Sequence, residues 1–416
     1  MTRRGKMKQA WGWAALFWAL CLAAGPARAA EWFVATNGND AADGTTWATA
    51  KLTIQAAIDT AVSNDTVWVS NGVYATGGRA VYGAMTNRVV IDKPITVRST
   101  NGPAVTVIQG AWHPGTTNGD TAARCVYVGL NATLIGFTLT NGATHKIGDV
   151  GREMAGGGAY CETSSVLTNC IVTGNSAHYF GGGVFRGVLY NCTISRNMNN
   201  QERGGGTCES TLYYCTLIGN SATAGGGAAL GSLYNCTLVG NLATNGFGGG
   251  AYYATLNDCT LASNSAYYSG GVYHCTLTNC VLTANSGVGG GGAWESTLNN
   301  CTLVGNSATN GYGGGCSSYS TLNDCTLSGN SASLGGGASD STLNRCVLTS
   351  NTAIRFGGGA DGGTLNNCII IGNKSGSGGG ACDSTLNNCA IAGNSAETQG
   401  GGSLWGTLNN CTISEN

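Results

Sequence analysis

Residues 296–315 read STLNNCTLVGNSATNGYGGG, and close copies of this stretch fill the chain from about residue 156 to residue 416. Aligning the copies on their cysteine gives twelve repeats, which are separated by 21 to 24 residues. A fixed period of this length indicates a stack of similar supersecondary units. We call the aligned residues the column cysteines; they are Cys170, Cys192, Cys215, Cys236, Cys259, Cys280, Cys301, Cys325, Cys346, Cys368, Cys389 and Cys411.

Three other positions of the repeat are equally constant. Leu stands three residues before every column cysteine, and Val, Ile or Leu stands two residues after it. Asn stands five residues after it, from Asn175 to Asn416, and a second Asn directly precedes the cysteine in eight copies. Apolar positions at this short spacing, broken by turn-forming residues, are typical of strands and not of helices. The pattern therefore excludes helical repeats, and a single fixed leucine per copy excludes a leucine-rich horseshoe.

The remaining solution is a coil of short strands, each hydrogen-bonded to its equivalent about 4.8 Å away in the next copy. The Leu, Cys and aliphatic positions are predicted to form buried columns. The Asn five residues after the cysteine is predicted to be a turn residue with left-handed backbone, whose amide bonds to the Asn of the next coil. Glycine runs such as residues 313–315 are predicted to be tight bends where backbones approach closely. They lack the Lys-Ser or Lys-Thr of a phosphate loop and the aspartate of calcium-binding nonapeptides.

The spacing of the column cysteines argues against disulfides among them. Thiols in register would lie about 4.8 Å apart, whereas the Cβ atoms of a disulfide lie about 3.5 to 4.5 Å apart. We expect these cysteines to be reduced, buried and packed as small apolar residues. Better disulfide candidates lie off the column, although spacing does not determine their pairing; they are Cys125, Cys161, Cys208, Cys275, Cys316 and Cys382.

The N-terminus predicts export. Residues 1–29 combine a basic start, the apolar run WGWAALFWALCLAAG and the sequence Ala27-Arg28-Ala29, which are the three parts of a signal peptide. No other segment reaches the roughly 18 apolar residues of a membrane helix. Only 9% of residues are charged and the net charge is -1, which excludes an electrostatic binder of nucleic acid. We expect residues 30–155 to form a cap with irregular first coils, and residues 156–416 to form the regular repeats.

The segments FVATNGNDAADGTTWATAKLTIQAAIDTAVSNDTVWVSNGVY (residues 33–74) and IDKPITVRSTNGPAVTVIQG (residues 91–110) resemble the opening of secreted parallel β-helix proteins of the pectate-lyase-like superfamily. The resemblance implies an all-β, right-handed parallel β-helix, or solenoid, with an N-terminal capping helix at about residues 51–61. The GGGA and L-x-G-N elements of the repeat are similar to repeats of chlamydial polymorphic membrane proteins and related bacterial surface β-helices. Because the last repeat stops in mid-coil, we expect the chain to be a fragment.

Three successive coils carry the carboxylates Asp340, Asp361 and Asp383, with Arg355 and Lys374 on the intervening turns. A polysaccharide lyase on this fold needs a cation or an arginine to neutralise a uronate, together with a Lys or Arg base. Calcium enters only under this alternative. Asp361 is one position out of step with the other two, so we expect it to point the other way. The competing interpretation is three solvated surface carboxylates.

The segment THKIGDVGREM, residues 144–154, concentrates charge in a chain that otherwise has little. Lys146 and Arg152 are its candidate catalytic residues under an enzyme hypothesis, because inserted loops often carry sites. The alternative is that such a loop simply tolerates charge. No metal site or catalytic triad is predicted, because three histidines stand isolated; they are His113, His178 and His274.

Five aromatic residues fall just before glycine runs and are predicted to align along one edge of the stack. Such rings could stack on sugars or on a partner, or each could pack over its own turn. These candidate ligand-binding residues are Phe180, Phe247, Tyr268, Tyr312 and Phe356.

The preferred functional hypothesis is an exported, non-catalytic surface or extracellular protein that presents an elongated face to glycans or to other cells. A sequence this uniform leaves little room for a unique catalytic patch. The alternative is a carbohydrate-active enzyme, a lyase or hydrolase of polysaccharide, and a structural spacer is third. No cofactor is predicted outside the lyase alternative.

Overall fold

The computed structural model describes residues 29–416, and nearly all of the predicted signal peptide, residues 1–28, lies outside the described part. The chain winds into a parallel β-helix with four sheets, which we call A, B, C and D and which contain 16, 15, 15 and 11 strands. Strands that are neighbours in a sheet come from successive coils and pair in parallel, apart from the antiparallel pair formed by Arg79–Ala80 and Thr86–Ile91. The predicted parallel β-helix is confirmed.

Each regular coil visits the sheets in the order A, B, D and C. In one coil the four strands are Thr297–Asn299, Thr302–Val304, Ser307–Tyr312 and Cys316–Ser317, after which the chain returns to sheet A at Thr321–Asn323. Sheet A runs from Glu31–Val34 to Thr407–Asn409, sheet B from Gly72–Tyr74 to Thr412–Ser414, sheet C from Arg79–Ala80 to Ser403–Leu404, and sheet D from Ser176–Ala177 to Ser395–Gln399. The other strands before residue 155 are Thr66–Val69, Thr96–Ser99, Thr106–Gln109, Ala123–Val128, Thr133–Ile135 and Thr138–Thr140.

The predicted columns form the core. Leu298 of sheet A is in register with Leu322 of the next coil, and Leu303 of sheet B is in register with Leu327. All four leucines and Cys301 between the two sheets are buried. Each fully buried leucine contributes about 2 kcal/mol, so the columns form one continuous apolar spine.

The constant Asn column is a buried hydrogen-bonded ladder, as predicted. Asn306 is 0% exposed, and its Nδ2 donates to Oδ1 of Asn330 at 3.0 Å and to the carbonyl of Leu282 at 2.9 Å. Its backbone N–H donates to the same Oδ1 at 2.9 Å. The predicted left-handed backbone is wrong for this residue: it belongs to Gly305 before it, with φ of 62°, and to Asn300 of the second Asn column, with φ of 51°.

The column thiols are hydrogen-bonding groups as well as small apolar residues. Sγ of Cys325 contacts the carbonyls of Leu298 and Asn323 at 3.5 and 3.2 Å and accepts the N–H of Cys301 at 3.4 Å. The thiol therefore serves backbone groups at the corner between sheets A and B. This explains why the position holds cysteine and not alanine.

Every cysteine in residues 29–416 is a free thiol, and all but the half-buried Cys411 are buried. This includes the six off-column cysteines, so none of the disulfides considered for them forms in this structure. Burial raises the pKa of the Cys161, Cys208 and Cys275 thiols to about 12. These thiols stay protonated, and therefore poorly nucleophilic, near neutral pH.

The α-helix Ile54–Thr60 lies within the predicted capping segment and buries Ile54, Ala57 and Ile58. It packs against Glu31–Val34 and Thr66–Val69 of sheet A and against Thr86–Ile91 of sheet C. A 3-10 helix, Trp47–Thr49, precedes it. No helix in the described part of the chain is long and apolar enough to cross a membrane.

Side chains close both the sheet edge and the end of this helix. The Gln55 amide accepts the N–H of Val90 at 2.8 Å and donates to the carbonyl of Val90 at 3.2 Å, which replaces a missing strand at the edge of sheet C. Lys93 Nζ donates to the carbonyls of Ile58 at 2.9 Å, Asp59 at 2.9 Å and Ala61 at 2.7 Å. The helix therefore covers backbone groups of the first coils that would otherwise be unpaired.

The glycine runs form the bend from sheet D into sheet C. Gly313 has φ of 65°, and a Cβ on Gly314 would lie 2.5 Å from the carbonyl oxygen of Gly336 in the next coil. A side chain at this position is therefore excluded by the neighbouring backbone. The bend is tight enough to fold the end of the sheet D segment back toward the outer face of sheet C.

We predict that Asn306→Val lowers the free energy of unfolding by about 2 to 4 kcal/mol. The substitution leaves the buried N–H groups of Asn285 and the carbonyl of Leu282 without partners. Thr302→Val, on the half-buried outer side of sheet B, serves as the control and should change it by less than about 0.5 kcal/mol. Urea or thermal unfolding of both variants checks this; equal losses would contradict the assigned facing of the side chains.

Candidate functional site

The outer face of sheet C carries a continuous row of side chains. In each regular strand the first residue is buried against the core and the second points outward, as Ala293 and Trp294 do. Register aligns Tyr252 with Tyr273, and Tyr273 with Trp294. We call this row the outer column of sheet C; from strand Ala123–Val128 onward it contains Tyr127, Tyr160, Phe185, Cys208, Ala229, Tyr252, Tyr273, Trp294, Ser317, Ser339, Asp361, Cys382 and Leu404.

The five predicted aromatic residues lie in the segment that folds back over this column. Tyr312 is in register with Leu334, which is in register with Phe356, and bridges align Phe180 with Arg203. The aromatic positions therefore share a row with other residue types. The three phenylalanines are half-buried, whereas Tyr268 is 37% and Tyr312 is 51% exposed.

The two rows meet in a dense group of rings. Phe247 stacks on Tyr268 with ring centres 4.3 Å apart and contacts Tyr273 at 4.2 Å. Trp294 meets Phe247 and Tyr268 edge to face at 6.2 and 5.9 Å, and Tyr252 stacks on Tyr273 at 5.5 Å. These five residues and Tyr253, which contacts Tyr252 at 4.6 Å, are called the aromatic cluster below.

A glycine makes room for the largest ring of the cluster. The row that holds Phe247 and Tyr268 continues at Gly289, and a Cβ on that glycine would collide with the Trp294 indole. The indole therefore fills space that an aromatic residue occupies in neighbouring coils. Its Nε1 is buried and has no hydrogen-bond partner in residues 29–416.

The cluster also has an exposed, partly polar rim. Tyr253 is 45% exposed and stacks on His274 at 4.6 Å. His274 Nε2 lies 2.5 Å from Glu295 Oε2, and both side chains reach solvent. Burial, together with the neighbouring Glu295, raises the pKa of Tyr273. Flat apolar rings beside a few polar groups are the usual composition of a carbohydrate or small-ligand surface.

The three predicted carboxylates lie further along the same face. Asp361 is in the outer column, in register with Ser339 and Cys382, whereas Asp340 and Asp383 occupy the next position with φ of 45° and 47°. Burial, with repulsion from Asp340 and Asp383, raises the pKa of Asp361 to about 6. The Asp361 carboxylate is therefore close enough to Asp340 and Asp383 for electrostatic repulsion, although it lies in a different row.

The two predicted cations contact other groups. The guanidinium of Arg355 lies 5.7 Å from the ring centre of Phe356, and Lys374 Nζ lies 3.9 Å from Glu397. Within the described residues, no group of three or more His, Cys, Asp or Glu side chains is arranged to hold a metal ion. The structure thus does not bring these cations to the three carboxylates.

The loop 144–154 is tied down by a carboxylate. Glu153 accepts the N–H of Ala84 at 2.9 Å and that of Asp149 at 3.0 Å, and these backbone hydrogen bonds lower the pKa of Glu153. The predicted candidate Arg152 lies with its guanidinium 4.7 Å from the Tyr82 ring centre, and Lys146 is exposed. Arg152 therefore reaches the outer face of sheet C, while Lys146 faces solvent.

Several cluster residues were not predicted, although their signal is present in the sequence. Tyr252, Tyr273 and Trp294 each follow a glycine run and one small or β-branched residue. Each of the three also stands seven residues before the following column cysteine, so alignment on the cysteine already places them in one column. The prediction was restricted to aromatic residues that precede the glycine runs and therefore omitted this column.

No protein-family model and no curated protein sequence matches the chain. Among solved structures, a tailspike protein of E. coli bacteriophage HK620 is similar with a TM-score of 0.46 and 12% identity, over 88% of this chain and 79% of that chain. An Azotobacter vinelandii mannuronan C-5 epimerase A-module gives a TM-score of 0.35 and 11% identity, over 86% and 92%. A rhamnogalacturonan lyase gives 0.34 and 12%, over 78% and 82%. Similarity at this level carries no information about the ligand of this chain.

We predict that Asp361→Asn stabilises the protein at pH 7.5 and has no effect near pH 4. The pKa of Asp361 in the folded protein, about 6, lies above its ordinary value. The protonated side chain therefore contributes to the free energy of unfolding at low pH, and this contribution is lost as pH rises through 6. The gain should be about 1 kcal/mol, because solvent screens the exposed part of the side chain.

The measurement is the urea unfolding midpoint of wild type and variant at both pH values. The exposed Asp120 provides the control Asp120→Asn, which should shift neither midpoint. A loss of stability for Asp361→Asn at pH 7.5 would show that its carboxylate is favourable and that the assigned environment is wrong.

Proposed function

We propose that this protein is exported and acts as a non-catalytic surface or extracellular protein, which binds glycans through the aromatic cluster. The observation that carries the proposal is the stack of partly exposed rings across three successive coils, centred on Phe247, Tyr268 and Tyr273. Planar rings present an apolar surface that matches the C–H face of a sugar ring. The His274 and Glu295 rim supplies hydrogen-bonding groups for sugar hydroxyls.

The character of the whole surface supports a neutral, extended ligand. With 9% charged residues and a net charge of -1, the chain has little long-range electrostatic attraction to offer. Its outer faces repeat at about 4.8 Å along the stack, which suits a polymer that lies along the coils. The similarity of the repeats to chlamydial polymorphic membrane proteins and other bacterial surface β-helices is part of this proposal, as is a role in adhesion.

The export part of the proposal rests on the signal-peptide pattern of residues 1–29. It implies a mature chain that begins at Ala30 or Glu31 and reaches the cell surface or the medium.

The alternative, a polysaccharide lyase or hydrolase, is favoured by one observation. Burial and the neighbouring carboxylates raise the pKa of Asp361 to about 6, which suits a general acid. The alternative lacks a second group, because Arg355 and Lys374 contact Phe356 and Glu397 instead.

The proposal predicts that the double variant Tyr253→Ala/Tyr268→Ala binds polysaccharide at least about tenfold more weakly, since each stacked ring is worth about 1 kcal/mol. The assay is affinity gel electrophoresis of the folded protein in gels that contain xylan, pectate, alginate or cellulose derivatives. Wild type should be retarded by at least one of them. Ultraviolet absorbance of unsaturated products, followed with and without calcium, tests the lyase alternative on the same polymers.

The matched control is Tyr214→Ala/Tyr319→Ala. These tyrosines are 62% and 86% exposed, lie outside the cluster and, like Tyr253, have positive φ. Three results would contradict the proposal. The cluster variant binds polysaccharide as tightly as wild type, or the control variant loses as much affinity as the cluster variant, or no polysaccharide retards the wild type. Product formation would replace binding by catalysis as the function.

A further inference from the structure

A recess at the N-terminal end of the outer face of sheet C lies away from both the aromatic cluster and the three aspartates. Its volume is about 470 Å³, and its lining includes Tyr82, Tyr127, Asp92 and Glu162. The recess brings two aromatic rings and two carboxylates into one concave surface. Its residues define a ligand chemistry of their own.

The tyrosines form an ordered wall. The rings of Tyr82 and Tyr127 meet edge to face at 5.9 Å, and Tyr127 stacks on Tyr160 at 5.8 Å. Both Tyr82 and Tyr127 donate their hydroxyls to Oε1 of Glu162, at 2.7 and 3.1 Å. These two bonds fix the carboxylate, while its Oε2 has no hydrogen-bond partner among residues 29–416.

Strand register supplies a second carboxylate. Asp92, Gly129 and Glu162 directly follow three neighbouring strands of sheet C, so they occupy successive coils. Asp92 and Glu162 therefore flank a residue without a side chain, with Cα atoms about 9.6 Å apart. Asp92 is exposed and, in the described part of the chain, forms neither a side-chain hydrogen bond nor an ion pair.

Two nearby cations of the chain are engaged elsewhere, and a third contacts a tyrosine of the recess. Lys93 donates to the carbonyls at the end of the capping helix. Arg79 has a weak electrostatic attraction to Asp92, but it forms its ion pair with Asp59 at 2.7 Å. The guanidinium of Arg152 lies 4.7 Å from the Tyr82 ring centre. This contact shows that one ring of the wall already receives a cation on its face.

We propose that the recess binds a ligand that carries a primary ammonium group beside an apolar face. The ammonium donates to Asp92 and to Oε2 of Glu162, and the apolar face lies against Tyr82 and Tyr127. An amino sugar and a polyamine both have this chemistry. The proposal concerns a separate site and does not depend on glycan binding by the aromatic cluster.

The test is saturation-transfer NMR of the full chain with three probes: glucosamine, N-acetylglucosamine and spermidine. Glucosamine, spermidine or both should bind in a saturable way that weakens with added salt, whereas the neutral N-acetylglucosamine should not bind at this site. The amine that binds more tightly identifies the source of the ammonium group. Asp92→Asn and Glu162→Gln should each weaken amine binding at least about tenfold.

The controls separate this site from the others and from misfolding. Asp120→Asn and Tyr214→Ala/Tyr319→Ala should bind the amines as wild type does. Glu162→Gln keeps an oxygen acceptor for the tyrosine hydroxyls, and Asp92→Asn changes an exposed residue. If Glu162→Gln lowers the unfolding midpoint, Asp92→Asn decides the test. Any of three results would overturn the proposal. Neither amine binds, or amine binding is unchanged in Asp92→Asn, or N-acetylglucosamine binds as tightly as the amines and both variants weaken its binding.

Discussion

The structure depends on one constraint: backbone groups at the corners of a narrow β-helix are buried and need partners. At the corner between sheets B and D, one asparagine per coil meets this need. Each side chain accepts two N–H groups of the preceding coil and donates to two oxygens, as Asn306 does with Asn285, Asn330 and Leu282. Because every rung uses the same bonds, replacing one asparagine affects its neighbours on both sides, which explains why the position never varies.

The cysteine column meets the same need at the preceding corner with a weaker donor and a smaller side chain. The glycine runs satisfy a steric requirement of the same narrow helix. The carbonyl of the next coil lies where a Cβ would stand, so no side chain fits there. Their tight bend folds the preceding residues over the outer face of sheet C. The aromatic cluster is thus a consequence of the same repeat: rings before the bend, such as Tyr268, lie on rings after it, such as Tyr273 and Trp294.

The capping helix was predicted from the resemblance of residues 33–74 to the opening of other parallel β-helix proteins. The repeat pattern was sufficient to predict the parallel stack, the buried columns, the Asn ladder and the glycine bends, because each depends on identical residues at a fixed period. It was insufficient where two parts of a coil with different offsets come together. The contact between Phe247 and Tyr273 is of this kind, as is the recess between Tyr82 and Glu162, which are far apart in sequence. The left-handed residues were also misassigned, since a turn contains several candidate positions and only the backbone distinguishes Asn300 and Gly305 from Asn306.

The most direct test of the ladder is hydrogen exchange of asparagine side-chain amides, measured by NMR on protein labelled with ¹⁵N at asparagine. The chain contains an internal reference: on the outer face of sheet A, Asn323 Nδ2 donates to Asn299 Oδ1 at 2.9 Å in a half-buried row that uses one bond per residue. The buried ladder uses both amide protons of each residue. We predict that Asn285, Asn306 and Asn330 exchange at least about 100-fold more slowly than Asn299 and Asn323. Equal exchange in the two rows would contradict the claim that the buried ladder holds the coils together.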